Sequence, residues 1–284
     1  MSGLLIKPDP VDGASPIPAE KGQHQAVRRH FDKESLSWGD RYDRPVATLW
    51  QLDVTKRLAV ANQMVKAAQG TISSRPLILD LGCGTGEGTS RIYSEGMTVI
   101  AADLSPEMVR TAIRRFPVLR GCVADAASLP FKSESFDIVQ SLGVLEYIGP
   151  YEIALRELRR VLKPGGTLVI SIPNRNSLFR YLHRLERFIT APLRRLRTRR
   201  QDTNGWEVGF RHRQWSLAEA VSLLQASGFD VVDINLFTYG LLLPAAESWR
   251  VNLALCKWLN AHCQGKGALC RNLALTAVLQ ARAV

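Results

Sequence analysis

The sequence predicts an α/β fold: a doubly wound, mostly parallel sheet of seven strands with a helical insertion after the fifth. Three observations carry this expectation: short apolar runs alternating with helix-length stretches, a glycine-rich turn at the first strand-to-helix junction, and one arginine-rich interruption of the alternation. Parallel strands joined by crossover helices are buried on both faces, so they read as continuous apolar runs.

Taken in order, residues 1–22 hold Pro8, Pro10, Pro16 and Pro18 without an apolar period, which predicts a disordered tail. Residues 23–69 read as helical, with Val54, Leu58, Ala61 and Val65 at helix spacing and Gly70 as the stop. Strands are expected at LILDL (77–81), TVIAAD (98–103), GCVAD (121–125), FDIVQS (136–141) and TLVISI (167–172). Helices are expected between them at about 87–95, 106–116 and 151–162. After Pro173 the arginine-rich stretch runs to about Gln214, and then a helix (217–226) and a strand (228–237) resume the pattern. LALTAVLQA at 273–281 is expected to close the sheet. The expected division is a tail (1–22) and one domain (23–284), with N-terminal helices (23–70), a core (75–173), the insertion (174–215) and a C-terminal part (216–284).

The chain has 284 residues, 46% hydrophobic and 22% charged, which is enough apolar content for one sizeable core and excludes a wholly disordered or collagen-like chain. Cys83, Cys122, Cys256, Cys263 and Cys270 include no C-x-x-C pair, so a reduced chain without a structural metal is expected. The seven-residue spacing of the last three predicts one helical face, buried as small hydrophobes. No leader-like apolar segment stands at the N-terminus, and the uncharged run 234–246 is shorter than the roughly 20 residues of a membrane span. A cytoplasmic protein, peripheral at most to the inner face of the membrane, is expected.

The strongest local signal is LILDLGCGTGEGT at 77–89. An apolar strand carries Asp80, and Gly82, Gly84, Gly86 and Gly88 follow at every second residue. Glycines there allow a tight turn and close backbone approach of a ligand, which the free N–H groups of the next helix would meet. The spacing is G-x-G-x-G rather than the G-x-G-x-x-G of dinucleotide folds. Asp103 ends the second strand, where a carboxylate can accept both hydroxyls of a ribose. Asp125 follows the third, placed to accept from a purine amino group.

Five blocks in order resemble the cofactor domain of class I S-adenosylmethionine-dependent methyltransferases: D-L-G-C-G-T-G at 80–86, A-A-D-L-S-P-E-M at 101–108, V-A-D-A-A-S-L-P-F at 123–131, F-D-I-V at 136–139 and R-V-L-K-P-G-G-T-L at 160–168. The subgroup they resemble most is the small-molecule one that includes quinone-biosynthesis methyltransferases. The resemblance implies a Rossmann-like fold and S-adenosylmethionine as cofactor. It implies that Asp80 and the loop of Gly82, Cys83, Gly84 and Gly86 hold the methionine part. Asp103 would take the ribose hydroxyls with Leu104 against the adenine, Asp125 and Ala126 would read the adenine edge, and Ser141 would line the transfer site. Phe31, Trp38 and Tyr42 resemble the lid of this superfamily, although aromatic packing of the N-terminal helices explains them equally.

Methyl transfer needs acceptor and methyl group aligned in a site closed to water, and a base where the acceptor is a hydroxyl. Some quinone O-methyltransferases bind a divalent ion at a V-L-E-H block; here Gly143-Val144-Leu145-Glu146-Tyr147 puts Tyr147 at the histidine position and Gly143 at the preceding acidic one, so no metal is expected. Glu146 is expected to be a solvated or capping group. The catalytic candidates are His212 and Tyr147, with His183 as a further base candidate; both histidines sit among arginines, which favours the surface.

Lysine and arginine number 37 against 26 acids, for a net charge of +11. Residues 175–213 alone hold eleven arginines against three acids, a net of +8. Leu178, Leu182, Leu185, Ile189, Leu193 and Leu196 recur there at helical spacing, giving an apolar face opposite an arginine face, and 241–259 adds a second leucine-rich stretch. A helix capping the acceptor pocket, contact with an anionic membrane and contact with nucleic acid all fit this pattern. Methyl transfer without metal to a small, lipid-like or lipid-linked acceptor is the favoured reading. A nucleic-acid methyltransferase and a non-catalytic S-adenosylmethionine-binding partner protein are the alternatives.

Overall fold

In the computed structural model the seven apolar runs become one sheet: β1 (Leu77–Leu81), β2 (Thr98–Asp103), β3 (Arg120–Val123), β4 (Phe136–Ser141), β5 (Leu162–Pro173), β6 (Phe229–Tyr239) and β7 (Ala274–Ala283). The structure describes residues 18–43, 45–72, 75–93, 97–185, 188, 212–239, 250–262 and 268–284. The strand order is β3-β2-β1-β4-β5-β7-β6. β1 to β5 pair in parallel, whereas β7 lies antiparallel between β5 and β6. The order reverses between β1 and β4, and in such sheets the crevice beyond the strands' C-terminal ends is where ligands bind.

Both faces of the sheet are covered, which is why its strands read as continuous apolar runs. Ile78 and Ile138 face one cluster with Ala61, Met64, Val65 and Ala68 of α3 (Leu49–Gln69). Their neighbours Leu79 and Val139 face another, with Leu155 and Leu158 of α6 (Tyr151–Val161) and Ala220 and Leu224 of α7 (Leu217–Ala226). Capping fixes the helix starts: Thr48 and Gln51 form a capping box on α3, as do Ser216 and Glu219 on α7. The side chain of Ser105 caps α5 (Pro106–Arg115). The remaining helices are α1 (Pro18–Trp38), α2 (Asp40–Asp43), α4 (Glu87–Ile92), α8 (Arg250–His262) and α9 (Ala268–Leu273).

Several expectations shift. The helical run 23–69 divides into three: α1 ends at Trp38 before Gly39, α2 is the short turn Asp40–Asp43, and Thr48 starts α3 afresh. α1 begins at Pro18, inside the segment read as a tail, and residues 1–17 lie outside the described residues. The third strand is Arg120–Val123, so Asp125 stands beyond it in a bridge to Ser128. Cys256 is buried on α8, but Cys270 belongs to the separate α9, so the cysteines do not share one helix; Cys263 lies outside the described residues. The insertion is helical at 178–185 and 188, and 189–211, like 240–249, lies outside the described residues. In the described part Arg180 departs from a solvated arginine face, being buried beside Phe179, while Tyr181, Arg184 and Leu185 are exposed. No helix among the described residues is long and apolar enough to cross a membrane.

Candidate active site

β1 turns into α4 through a loop whose glycines take left-handed angles: φ is 79° at Gly82, 53° at Gly84 and 91° at Gly86. At Gly82 a side chain is excluded by space as well, because an added Cβ would stand 2.0 Å from Val144 Cγ2. The Gly82 and Cys83 N–H groups donate to the Ala102 carbonyl at 2.7 and 3.0 Å, tying the loop to β2. At the end of β2, Asp103 Oδ2 accepts from the Gly84 N–H at 3.0 Å and Oδ1 from the Ser105 N–H at 2.9 Å. Burial raises the Asp103 pKa to about 6 against those two bonds. Both oxygens keep lone pairs, the pair of acceptors to which a vicinal diol can donate.

The Ala124 N–H donates to the Asp103 carbonyl at 2.9 Å, which brings Asp125 alongside. Asp125 Oδ1 accepts from the Ala127 N–H at 2.9 Å, and Oδ2 pairs with His24 Nδ1 at 3.2 Å. Burial by itself would raise this carboxyl's pKa; the His24 and Ala127 hydrogen bonds bring it below the usual value.

α1 roofs this crevice. Its Asp32 accepts from Ser105 Oγ at 2.6 Å, and its Gln23 side chain donates to the Tyr147 carbonyl at 2.8 Å. Its rings form an edge-to-face row, with Phe31 5.3 Å from Trp38 and 5.6 Å from Tyr147. Trp38 Nε1 lies 3.6 Å from where a Cβ on Gly84 would be, and Arg41 sits 4.3 Å over the Trp38 ring.

Beyond the row lies a polar cluster. α3 supplies Asp53 and Arg57, the 3₁₀ turn Leu145–Tyr147 supplies Glu146 and Tyr147, and Arg180 and His212 come from either end of the insertion. Glu146 is 4% exposed and Arg180 8%. His212 Nε2 lies 3.9 Å from Glu146 Oε1, and its ring meets Tyr147 edge-on at 5.2 Å. Burial raises the Glu146 pKa to about 6 although Arg57 and Arg180 oppose it. Burial, reinforced by Arg180 and Arg57, lowers His212 to about 4, so its imidazole is neutral at pH 7. Burial also lowers Arg180 to about 10 and raises the Tyr147 phenol.

A family described as "Methyltransferase domain" matches residues 79–170. The chain is 38% identical over 146 residues to a demethylmenaquinone methyltransferase of Streptomyces griseus, covering 51% of this chain and 64% of that protein. It is 30% identical over 212 residues to a demethylmenaquinone methyltransferase of Clavibacter sepedonicus, covering 72% of this chain and 73% of that one. The chain belongs to the class I S-adenosylmethionine-dependent methyltransferases. It spans about half to two thirds of the length of the first curated relatives it matches. Among solved structures, magnesium protoporphyrin IX methyltransferase from Synechocystis, bound to S-adenosylhomocysteine, shares the fold at TM-score 0.60 and 16% identity, covering 92% of this chain and all of that one.

In this chain the residues read from the blocks converge on one crevice. Gly82, Cys83, Gly84 and Gly86 form the loop, and Asp103, Leu104, Asp125 and Ala126 follow the neighbouring strands. Ser141 pairs with Leu81 in the sheet, directly before the loop. Asp80 is occupied from below: Oδ2 accepts from Thr89 Oγ1 at 2.5 Å and Oδ1 from Gln140 Nε2 at 3.0 Å, which ties α4 and β4 to β1.

Two expectations fail. Glu146 is neither solvated nor a cap, because the 3₁₀ turn carries it inside, within electrostatic range of Arg57 on α3 and of Arg180. His212 is half-buried, with 27% of its side chain exposed: the Arg213 N–H donates to the Glu146 carbonyl at 2.9 Å and draws its neighbour inward. The sequence reading missed Asp53, Arg57, His24 and Asp32. Arg57 continues the stripe of Ala61, Val65 and Ala68 by one turn, and a charge on a buried stripe was the available signal. His24 and Asp32 carried none, since they are ordinary surface-helix residues until α1 docks.

Proposed function

We propose that this protein transfers a methyl group from S-adenosylmethionine to a small, lipid-like or lipid-linked acceptor by in-line displacement. The observation that carries the reading is the Asp103 carboxylate, held by the Gly84 and Ser105 N–H groups at the lip of the glycine loop and roofed by α1. When bound, S-adenosylmethionine supplies a methyl group already activated by its sulfonium sulfur. The chain itself then has three tasks. Asp103 and Asp125 accept from the ribose hydroxyls and the adenine amino group, with the loop backbone beside the methionine part. Trp38 and Phe31 on α1 cover the crevice against water, and the cluster around Glu146 faces the acceptor.

The lipid-like acceptor is supported by three exposed side chains on one stripe after β5: Tyr181 at 60%, Leu185 at 43% and Phe188 at 80% exposure. Exposed Arg184 lies on the same turns, so this surface pairs apolar and cationic groups as an anionic bilayer requires. Two relatives are named for demethylmenaquinone.

Calorimetry with S-adenosylhomocysteine, together with transfer of labelled methyl groups into a lipid extract, tests the reading. Binding plus a labelled lipid-phase product supports it; no binding removes the cofactor. Sedimentation with phosphatidylglycerol vesicles tests the surface. Salt-sensitive binding that weakens in Leu185→Ser/Phe188→Ser is expected, and equal pelleting with and without vesicles would remove the membrane contact.

A further inference from the structure

We propose that Asp53, Arg57, Glu146, Arg180 and His212 form the acceptor subsite of this methyltransferase, and that it takes an acceptor with an acidic hydroxyl, a phenol or an enol, with Glu146 as the base. The inference rests on the methyl-transfer reading above and names the acceptor's chemistry.

Glu146 Oε2 and Asp53 Oδ1 are buried and have no hydrogen-bond partner among the described residues. A buried acceptor atom without a donor is costly, so a pair of such atoms marks where a donating ligand group belongs. The position is that of an acceptor: Val144 abuts Gly82 of the loop, and two residues later Glu146 follows. The ring row Trp38, Phe31, Tyr147 and His212 joins the cover over Gly84 to this carboxylate.

The charges choose among acceptors. Asp53 and Glu146 offset Arg57 and Arg180, and His212 is neutral at pH 7, so the cluster carries little net charge. With the charges already balanced, a carboxylate or an ammonium ion would bring a net charge into this largely desolvated site with no counter-charge left over, and a carboxylate would need no base. A hydroxyl enters neutral, donates to Glu146, and leaves its oxygen beside Arg57 and Arg180 as negative charge develops.

The step balances. The hydroxyl O–H bond breaks and its proton passes to the Glu146 carboxylate. The oxygen lone pair forms the bond to the methyl carbon while the methyl–sulfur bond breaks and its electron pair stays on sulfur, giving a methyl ether, a neutral thioether and a protonated Glu146 that then releases its proton to solvent. His212 is a poorer base, since Arg180 and Arg57 both oppose its protonation. The groups that face Glu146 are Arg57 and Asp53 from α3, Tyr147 from its own turn, and Arg180 and His212 from the insertion.

The test uses the full chain with methyl-labelled S-adenosylmethionine and three probes of similar size: 1-naphthol, benzoate and benzylamine. Labelled 1-methoxynaphthalene in excess over the other products is expected, with a wild-type kcat at saturating S-adenosylmethionine, where the Asp103 binding effect drops out, that rises with pH through about 6. Glu146→Gln should lose on the order of 100-fold or more in kcat. Its binding of S-adenosylhomocysteine should stay unchanged, which also shows that the variant is folded. Preferential labelling of benzoate or benzylamine, an unlabelled naphthol with the thioether still bound, a rate flat from pH 5 to 8, or a Glu146→Gln variant as fast as wild type would each overturn the assignment. Failure to bind S-adenosylhomocysteine at all would instead strike the underlying methyl-transfer reading.

Discussion

Replacing Asp103 with asparagine changes one oxygen into an NH₂ group and removes a charge at the lip of the glycine loop. In the wild type each carboxylate oxygen already accepts one backbone N–H, from Gly84 and from Ser105, and has capacity left for one ribose hydroxyl. An asparagine can keep one of those sides, while its NH₂ faces an N–H on the other. A hydrogen bond to a charged acceptor contributes roughly 1.5–3 kcal/mol, so losing one and weakening the second costs about 3 kcal/mol, or on the order of 100-fold in affinity. The wild type should itself be pH-dependent, because burial lifts this carboxyl's pKa to about 6. If the ionised form binds the diol, affinity for S-adenosylhomocysteine is level above pH 7 and falls about tenfold per pH unit well below 6. The linkage for folding has the opposite sense. The folded pKa lies above the unfolded one, so this group favours the fold at low pH, and that contribution is lost as the pH rises through 6. Calorimetric titration at a series of pH values from 5 to 8, for wild type and Asp103→Asn, measures both effects. Affinity that is flat with pH in the wild type, or an Asp103→Asn value within threefold of it at pH 8, would refute the reasoning.

Gly82→Ala combines a left-handed backbone angle with a contact 2.0 Å from Val144 Cγ2, and it should cost about 2–5 kcal/mol in urea unfolding. Adding Val144→Ala removes the contact but not the backbone strain, so the double variant should recover about 1–3 kcal/mol of the steric part, whereas strict additivity would argue against this packing. Glu157 accepts from the Leu129 N–H at 2.7 Å and from Arg160 at 2.7 Å, anchoring the segment between β3 and β4. Glu157→Ala should therefore lower stability by about 3 kcal/mol or more, measured by the same titration. Asp32→Ala removes the acceptor of Ser105 Oγ on the far side of the crevice. Affinity for S-adenosylhomocysteine should drop about threefold to tenfold and proteolysis within α1 should accelerate, with the melting temperature little changed, as expected for a bond of about 1 kcal/mol between a lid and its seat.

Much of the cofactor crevice was legible because its requirements are local. A tight strand-to-helix turn demands glycine, a capped helix demands Ser105 before Pro106, and a strand-end carboxylate stands one strand over from the loop in any right-handed crossover fold. The acceptor side was not legible in the same way. Glu146 and His212 read as surface residues in the sequence, since nothing adjacent to them shows that Arg57 of α3 and Arg180 come to lie beside them. Arg180 belongs by sequence to a solvated arginine face, whereas the fold buries it within electrostatic range of Glu146 and Asp53, which lie 34 and 127 positions away.

The sequence by itself determined the α/β alternation, the place of the glycine loop and the acids beyond it, because strand burial, turn geometry and helix capping are set by neighbours a few residues apart. Tertiary structure alone decided the order in which β7 enters the sheet, the docking of α1 through Asp32 and His24, and the gathering of Asp53, Arg57, Glu146, Arg180 and His212 into one partly buried cluster. Those arrangements join residues far apart in the chain, and the protonation of Glu146 and His212 is set by desolvation, which exists only once the elements have packed.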